Sequence, residues 1–443
     1  MSENKEAVGS QRTLKLEYLT RVEGEGGLSL RLENGKVRDV KLNIFEPPRF
    51  FEAFLRGRHF QEVPDITARI CGICPVAYQM SSVHALEAAL GVQVDPAIRL
   101  LRRLLYCGEW IESHALHIYL LHAPDFLGYE SGISMAGTYP QEVERGLRLK
   151  KIGNMLLELL GGRAIHPVSV CVGGFYKVPR RHQLLDLRSD LEWAIQAAKQ
   201  TVAWVASFNF PDFSPRYEFV CLSHPDEYPM NEGEIVSSSG LKLDLPEYEH
   251  AFLEEHVAHS TALHSVRAAG GTSYFVGPLA RINLCRDKLF PQARAAAESC
   301  GVSWPSHNPF VGIVARAIEL LHACEEALSI IHAYQEPECS RTEFEVHKAE
   351  GCGATEAPRG LLFHRYRINE QGLIEFAKIV PPTSQNLRRM EDDLRLLLPP
   401  IVHDSDAAIA RACENLVRSY DPCISCSTHF LQVKIARTGG TGH

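Results

Sequence analysis

Two Cys-x-x-Cys pairs stand near opposite ends of this 443-residue chain, Cys71 with Cys74 and Cys423 with Cys426. If the four thiols act together, the fold must bring both ends of the sequence to one place in its interior. Two intervening residues let both sulfurs of a pair turn towards a single metal ion. Four thiolates from two distant pairs would make a soft, all-sulfur site in the middle of the fold. The pairs lie too far apart for a local zinc knuckle. Spacing alone leaves a redox dithiol, a coincidence and a structural four-cysteine zinc site open, and it favours zinc. Other cysteines, such as Cys107, Cys324 and Cys413, fall in helical apolar patterns and read as core thiols.

The composition narrows the class. With 45% hydrophobic and 23% charged residues, the chain is too apolar to be disordered and long enough for a large core. Thirteen cysteines are too few for a disulfide scaffold, and their odd number in apolar surroundings predicts reduced thiols in a cytosol. The opening MSENKEAVGSQR lacks the apolar stretch of a secretory signal. No segment approaches the roughly 20 apolar residues of a membrane span. Forty-six basic residues dispersed among 54 acidic ones, net −8, make no electrostatic case for nucleic acid.

A hairpin is legible first. Leu28, Leu30 and Leu32 alternate with polar residues, Asn34-Gly35 supplies a tight turn, and Val37, Val40 and Leu42 resume the pattern. Leu14–Tyr18 reads as a further strand, with Arg21-Val22-Glu23-Gly24 on the bend between. After Pro48 helical periodicity takes over, predicting helices over 79–90, 97–122, 141–160, 183–208, 310–334, 387–398 and 407–420. Shorter β-like runs fall at 218–222, 372–380 and 431–436. No internal repeat or Ser/Gly linker divides the chain. The expected fold class is mainly α with small β appendages (α+β): one unit, residues 1–443, with an N-terminal β region at 11–45 and a helical body at 48–420.

The residues flanking the cysteines resolve the tie between metals. Arg69-Ile-Cys-Gly-Ile-Cys and Asp421-Pro-Cys-Ile-Ser-Cys-Ser-Thr-His429 resemble the two signatures of the nickel-iron hydrogenase large subunit. Arg21-Val-Glu23-Gly resembles that family's early glutamate motif, and Arg49-Phe-Phe-Glu52 with Gly57-Arg58 its arginine–glutamate segment. Gly162-Arg163, His166-Pro167 and Gly173-Gly174 resemble a mid-chain block, as does Tyr274 with Gly277-Pro-Leu-Ala-Arg281. Glu356-Ala-Pro358-Arg359-Gly and Val380-Pro-Pro-Thr383-Ser-Gln-Asn386 complete the set in order. The blocks run from residue 21 to 429, nearly the whole chain.

The resemblance implies a fold and a chemistry. The fold would be that of the hydrogenase large subunit, a central helical body with β segments at both ends. Cys71 and Cys423 would be terminal nickel thiolates, while Cys74 and Cys426 would bridge nickel to an iron carrying CO and cyanide. Soft thiolates suit a nickel that changes oxidation state. Glu23 would carry protons away from Cys423. Arg359 would lie over the open side of the centre, oriented by Asp421, with Pro358 and Thr383 lining the pocket of the iron's diatomic ligands. Glu52 and His429 resemble the side-chain ligands of a buried magnesium ion, although Mg²⁺ ordinarily prefers all-oxygen shells. Taken singly, Glu23, Arg359 and His429 would read as surface or tail residues. His114, His117 and His122 read as packed or hydrogen-bonded helix histidines. Residues 421–443 become a metal-binding C-terminus. Within it, the resemblance implies that an endopeptidase removes 430–443 after nickel insertion.

Tyr78, Glu25 and Ser113 depart from the periplasmic members, and Val-Pro-Pro-Thr lacks their tryptophan. With the wording Arg-Ile-Cys-Gly-Ile-Cys-Pro-Val-Ala-Tyr, these variants resemble the cytosolic, bidirectional NAD(P)-linked branch, the sulfhydrogenase alpha subunits. The expected reaction is H₂ ⇌ 2H⁺ + 2e⁻. The chain has no Rossmann glycine fingerprint and no further cluster-type cysteine array. Electrons must therefore leave through an iron–sulfur small subunit, with diaphorase-type NAD(P)/flavin subunits beyond. A non-turnover hydrogen sensor on the same site is the alternative. The related respiratory complex I subunit is disfavoured, because it lacks the four cysteines.

Overall fold

A computed structural model describes residues 11–16, 19–22, 26–34, 36–44, 48–423 and 433–436. The alternating leucines near the N-terminus become the inner face of an antiparallel sheet of β1 (Gln11–Leu16), β2 (Gly26–Glu33) and β3 (Lys36–Ile44). Register places Leu28 opposite Leu42 and Leu30 opposite Val40, so one face is apolar throughout. Asn34, at φ 52°, supplies the left-handed turn residue.

After a helix at Pro48–Leu55 and short helical turns comes α1 (Pro75–Leu90), buried nearly all round as a helix without a solvent face must be. Proline at its first turn and Gly91 at φ 65° beyond its end set its limits. Helix α2 (Pro96–Leu116) starts where the Asp95 carboxylate accepts from Ala97 N at 2.7 Å. It widens into a π turn over His117–His122 instead of running on regularly. Helices α3 (Pro140–Gly161) and α5 (Gly312–Ala333) pack against α2, and α4 (Arg188–Ala206) packs against α5 and α3. Their shared apolar core includes Leu104, Trp110, Leu156, Ile195 and Ile318.

An antiparallel sheet of β4 (Ala349–Ala357), β5 (Gly360–Ile368) and β6 (Ile374–Val380) lies against α1. The sequence reading finds only β6 of these. Strand β4 reads AEGCGATEA, a loop-like composition, yet its glycines are what let it approach the helix. A Cβ on Gly353 would sit 2.5 Å from Ala85 N and 2.6 Å from Ser81 O. Helix α6 (Pro382–Leu397) covers the N-terminal sheet through Leu387, Met390 and Leu394. Helix α7 (Asp406–Ser419) leads to Cys423, and β7 (Val433–Ala436) pairs antiparallel with β1. The architecture is α+β, as the sequence predicts. Among the described residues, no helix is long and apolar enough to cross a membrane.

Candidate metal centre

The two ends of the sequence do meet. Cys71 follows the short turn Ala68–Ile70 in extended conformation, and Cys74 stands just before α1. The two residues between them fold the Cys74 sulfur back to 2.7 Å from the Cys71 sulfur, which also accepts from Cys74 N at 3.1 Å. Cys423 arrives from beyond α7 with its sulfur 3.1 Å from that of Cys71 and 4.0 Å from that of Cys74. All three are buried, and no disulfide is formed among the described cysteines. The separations exceed the ~2.05 Å of a disulfide. They fall within the ~4.6 Å that two sulfurs can span across one ion at ~2.3 Å each. This geometry and soft donor set fit a thiolate-held transition metal. Cys426, His429 and Glu23 lie outside the described residues.

Charge is arranged around the sulfurs. Burial opposes ionisation of Cys71, but hydrogen bonds from Cys423 and Cys74 and the nearby Arg359 guanidinium outweigh it. The Cys71 thiol is held well below its usual range. Hydrogen bonding to Cys71 and Cys74, then burial, raises Cys423 in turn. Arg359 Nε donates to the Asp421 carbonyl at 2.9 Å, and its Nη2 to Asp421 Oδ1 at 3.2 Å. Asp421 adopts φ 53°, is buried, and has Arg316 Nε 3.9 Å from its other oxygen. An arginine so tied cannot swing away from the sulfurs.

The turn bearing Arg359 is itself clamped. Arg281, fully buried, donates to both oxygens of Glu319 at 2.7 Å, to Glu356 at 2.8 Å, and to the carbonyls of Ala357 and Pro358 at 3.0 and 3.1 Å. Gly360, at φ 133°, completes the turn; a Cβ there would lie 2.7 Å from Val276 Cγ2. Pro358 thus contributes its carbonyl to this clamp. Thr383, at the start of α6, bonds the Cys423 backbone. These residues come from five separate segments of the sequence.

Other predicted residues sit differently. Glu52 is half-buried on the Pro48–Leu55 helix, its Oε1 accepting from Ile379 N at 2.8 Å. A carboxylate is the hard donor magnesium prefers. His117 Nε2 is bonded to the Arg418 carbonyl at 2.9 Å and His122 Nε2 to Asn415 Oδ1 at 3.0 Å. His114 Nε2 lies 3.0 Å from Glu319, and burial pulls its ring down to about 4. All three are interior histidines.

Sequence reasoning misses Glu109 of α2. Its buried carboxylate accepts from Val76 N at 2.6 Å and Ala77 N at 3.1 Å, capping the helix that follows Cys74. No local pattern signals a cap supplied by another helix. Arg281 carried a signal, since it closes the Gly277-Pro-Leu-Ala-Arg block, but its clamping role was not legible there.

Comparison with known proteins gives the family. The family model described as nickel-dependent hydrogenase matches residues 49–144 and 272–429. Sulfhydrogenase 1 subunit alpha of Pyrococcus furiosus is 34% identical over 424 residues, covering 95% of this chain and 98% of that one. Sulfhydrogenase 2 subunit alpha of the same organism is 36% identical over 423 residues, covering 95% and 100%. A solved NAD⁺-reducing [NiFe]-hydrogenase in the H₂-reduced state superposes with a TM-score of 0.86 at 27% identity, over 95% of this chain and 100% of that one. The chain belongs to the nickel-dependent hydrogenase family, as a large subunit, and is an oxidoreductase acting on hydrogen.

Proposed function

We propose that this chain is the hydrogen-cleaving subunit of a cytosolic complex that runs H₂ ⇌ 2H⁺ + 2e⁻ in both directions. Its electrons leave through an iron–sulfur small subunit to flavin- and NAD(P)-carrying diaphorase partners. The names of the sulfhydrogenase alpha relatives and the NAD⁺-reducing structural relative support that assignment. The single observation that carries it is the convergence of the Cys71, Cys74 and Cys423 sulfurs, buried beside Arg359.

A nickel–iron centre held by Cys71, Cys74, Cys423 and Cys426, with CO and cyanide on its iron, supplies the two-electron redox chemistry when bound. The protein's part is to position charge and to move protons. Cys423 is the first proton acceptor, and the Glu23 carboxylate takes the proton outward. Arg359, locked by Asp421, presents a fixed cation where thiolate charge changes during turnover. Pro358 and Thr383 line the pocket for the diatomic ligands. Glu52 and His429 hold a magnesium ion that secures the C-terminus. The chain acts as one unit whose residues 430–443 are cut away by an endopeptidase once the metals are in.

The test is infrared spectroscopy of the purified complex with nickel analysis and hydrogen-dependent NAD(P) reduction. Stretching bands of CO and cyanide, about one nickel per chain, and reduction of the nucleotide are expected. Zinc in place of nickel, with no such bands, would refute the reading.

A further inference from the structure

A second cluster of ligating side chains lies apart from the cysteines, around helix α6. It joins His259, His264 and Glu391, whose donor atoms all fall within 4.8 Å of one another. Glu391 is buried on α6, and His259 Nε2 approaches its Oε1 to 2.6 Å. His264 opens the short strand His264–Arg267, with its ring 5.6 Å from that of His259. The His264 side chain is completely buried, and among the described residues neither ring nitrogen has a hydrogen-bond partner. An imidazole so placed loses its hydrogen bonds to water and regains none, which costs stability. Folds retain such a group when something else meets its lone pair.

We propose that His259, His264 and Glu391 form a second metal site, which binds a divalent ion of the zinc class and ties α6 to the His264–Arg267 strand. Two imidazoles and one carboxylate are a known three-ligand set for zinc, with the fourth position left to water. Softer, thiolate-seeking ions and all-oxygen ions fit it less well. A neutral imidazole offers a zinc-class ion a lone pair. Glu391 is oriented from behind: Arg395 Nη2 donates to its Oε2 at 3.2 Å, and Leu42 N to its Oε1 at 3.0 Å. Such supporting bonds fix a ligating carboxylate. Through Leu42 the site also reaches β3, so the ion would fasten the N-terminal sheet to the helical body. The His259 side chain is 21% exposed and gives the ion its way in.

Zinc binding to the assembled, nickel-loaded complex tests this. The complex is stripped of loose metal with a chelator, titrated with Zn²⁺ and desalted, and its zinc and nickel are counted by plasma mass spectrometry. The same is done with a His259→Gln/His264→Gln variant. We expect one more zinc per chain in the parent than in the variant, affinity at least about tenfold weaker in the variant, and equal nickel in both. Equal zinc in the two would overturn the proposal and leave a plain His259–Glu391 ion pair. Should the variant fail to assemble, zinc-edge absorption of the parent complex decides. Imidazole scattering at ~2.0–2.1 Å supports the site, while an all-sulfur or all-oxygen shell overturns it.

Discussion

Thr383 and Cys423 hold each other by two hydrogen bonds: Cys423 N donates to Thr383 Oγ1 at 3.0 Å, and that hydroxyl donates to the Cys423 carbonyl at 3.3 Å. One side chain at the first turn of α6 therefore fixes the backbone of a cysteine on a different segment. Thr383→Val keeps the shape and removes both bonds. Each is worth about 0.5–1.5 kcal/mol, lost where the sulfur must be placed. Nickel occupancy and turnover should fall together while the far-UV spectrum is unchanged, and Thr383→Ser should restore both. Full nickel and normal turnover in Thr383→Val would show that Cys423 is positioned without it.

The cysteines can be sorted by substitution. Replacing Cys71, Cys74, Cys423 or Cys426 with Ala should abolish nickel content and activity. Cys107 and Cys324 are buried in the helical core. Their replacement with Ala should cost about 1–3 kcal/mol of stability and leave nickel in place. A Cys423→Ala protein that retained full nickel would remove it from the ligand set.

Much of this was legible in the sequence, and the limits have physical causes. The long helices were readable because their apolar periodicity is local; α3 and α5 start and stop within two residues of their predicted ends. The cysteine pairs and flanking motifs announced the metal. Strand β4 was not readable, because Gly351 and Gly353 serve contact with α1, and composition alone marks glycine as loop. Glu109 and Arg281 were hidden for a similar reason. Their partners are distant in sequence, so no spacing rule reaches them. The helix holding His117 was predicted as regular to 122, whereas its last turns widen and bring Nε2 to the Arg418 carbonyl.

Proton exit is tested at Glu23. Glu23→Gln preserves shape and hydrogen bonding but cannot accept a proton. Turnover should collapse while nickel content and the infrared bands persist. Hydrogen–deuterium exchange should fall alongside hydrogen oxidation, because both need the proton to leave. Near-normal exchange would mean that protons exit by another path.

His364 gives the pH dependence a direction. Burial alone lowers its ring to about 3, against roughly 6.5 when unfolded. Above pH ~6.5 both states are neutral, and the contribution to stability is complete. Between ~6.5 and 3 the unfolded chain takes up a proton that the folded one refuses. Stability then falls by up to ~1.4 kcal/mol per pH unit from this group. His364→Gln keeps a polar group near the Tyr366 hydroxyl, which lies 2.8 Å from Nδ1. The variant's melting temperature should decline less steeply from pH 7 to pH 4.5. Parallel slopes for parent and variant would assign the acid sensitivity elsewhere.

The C-terminal strand raises the last question. In the full chain β7 pairs antiparallel with β1, Leu14 opposite Ile435 and Leu16 opposite Val433. It takes one edge of a sheet whose other edge is β3. A strand in that place masks an edge that would otherwise offer unpaired backbone groups. It also fastens residues 433–436 to the N-terminal sheet. Under the proposed maturation, this pairing would be kept until the metals are in place. Cutting after His429 would release β7 and let the end of the chain turn inward. The pairing with β1 serves equally well as a permanent closing strand, so alternation along 431–436 does not separate the two outcomes. Intact mass spectrometry of the active complex does. We expect a subunit ending at His429, with the uncut form accumulating when nickel is withheld from the growing cells. An active, nickel-loaded subunit that still carries Phe430 to His443 would make β7 a permanent part of the sheet.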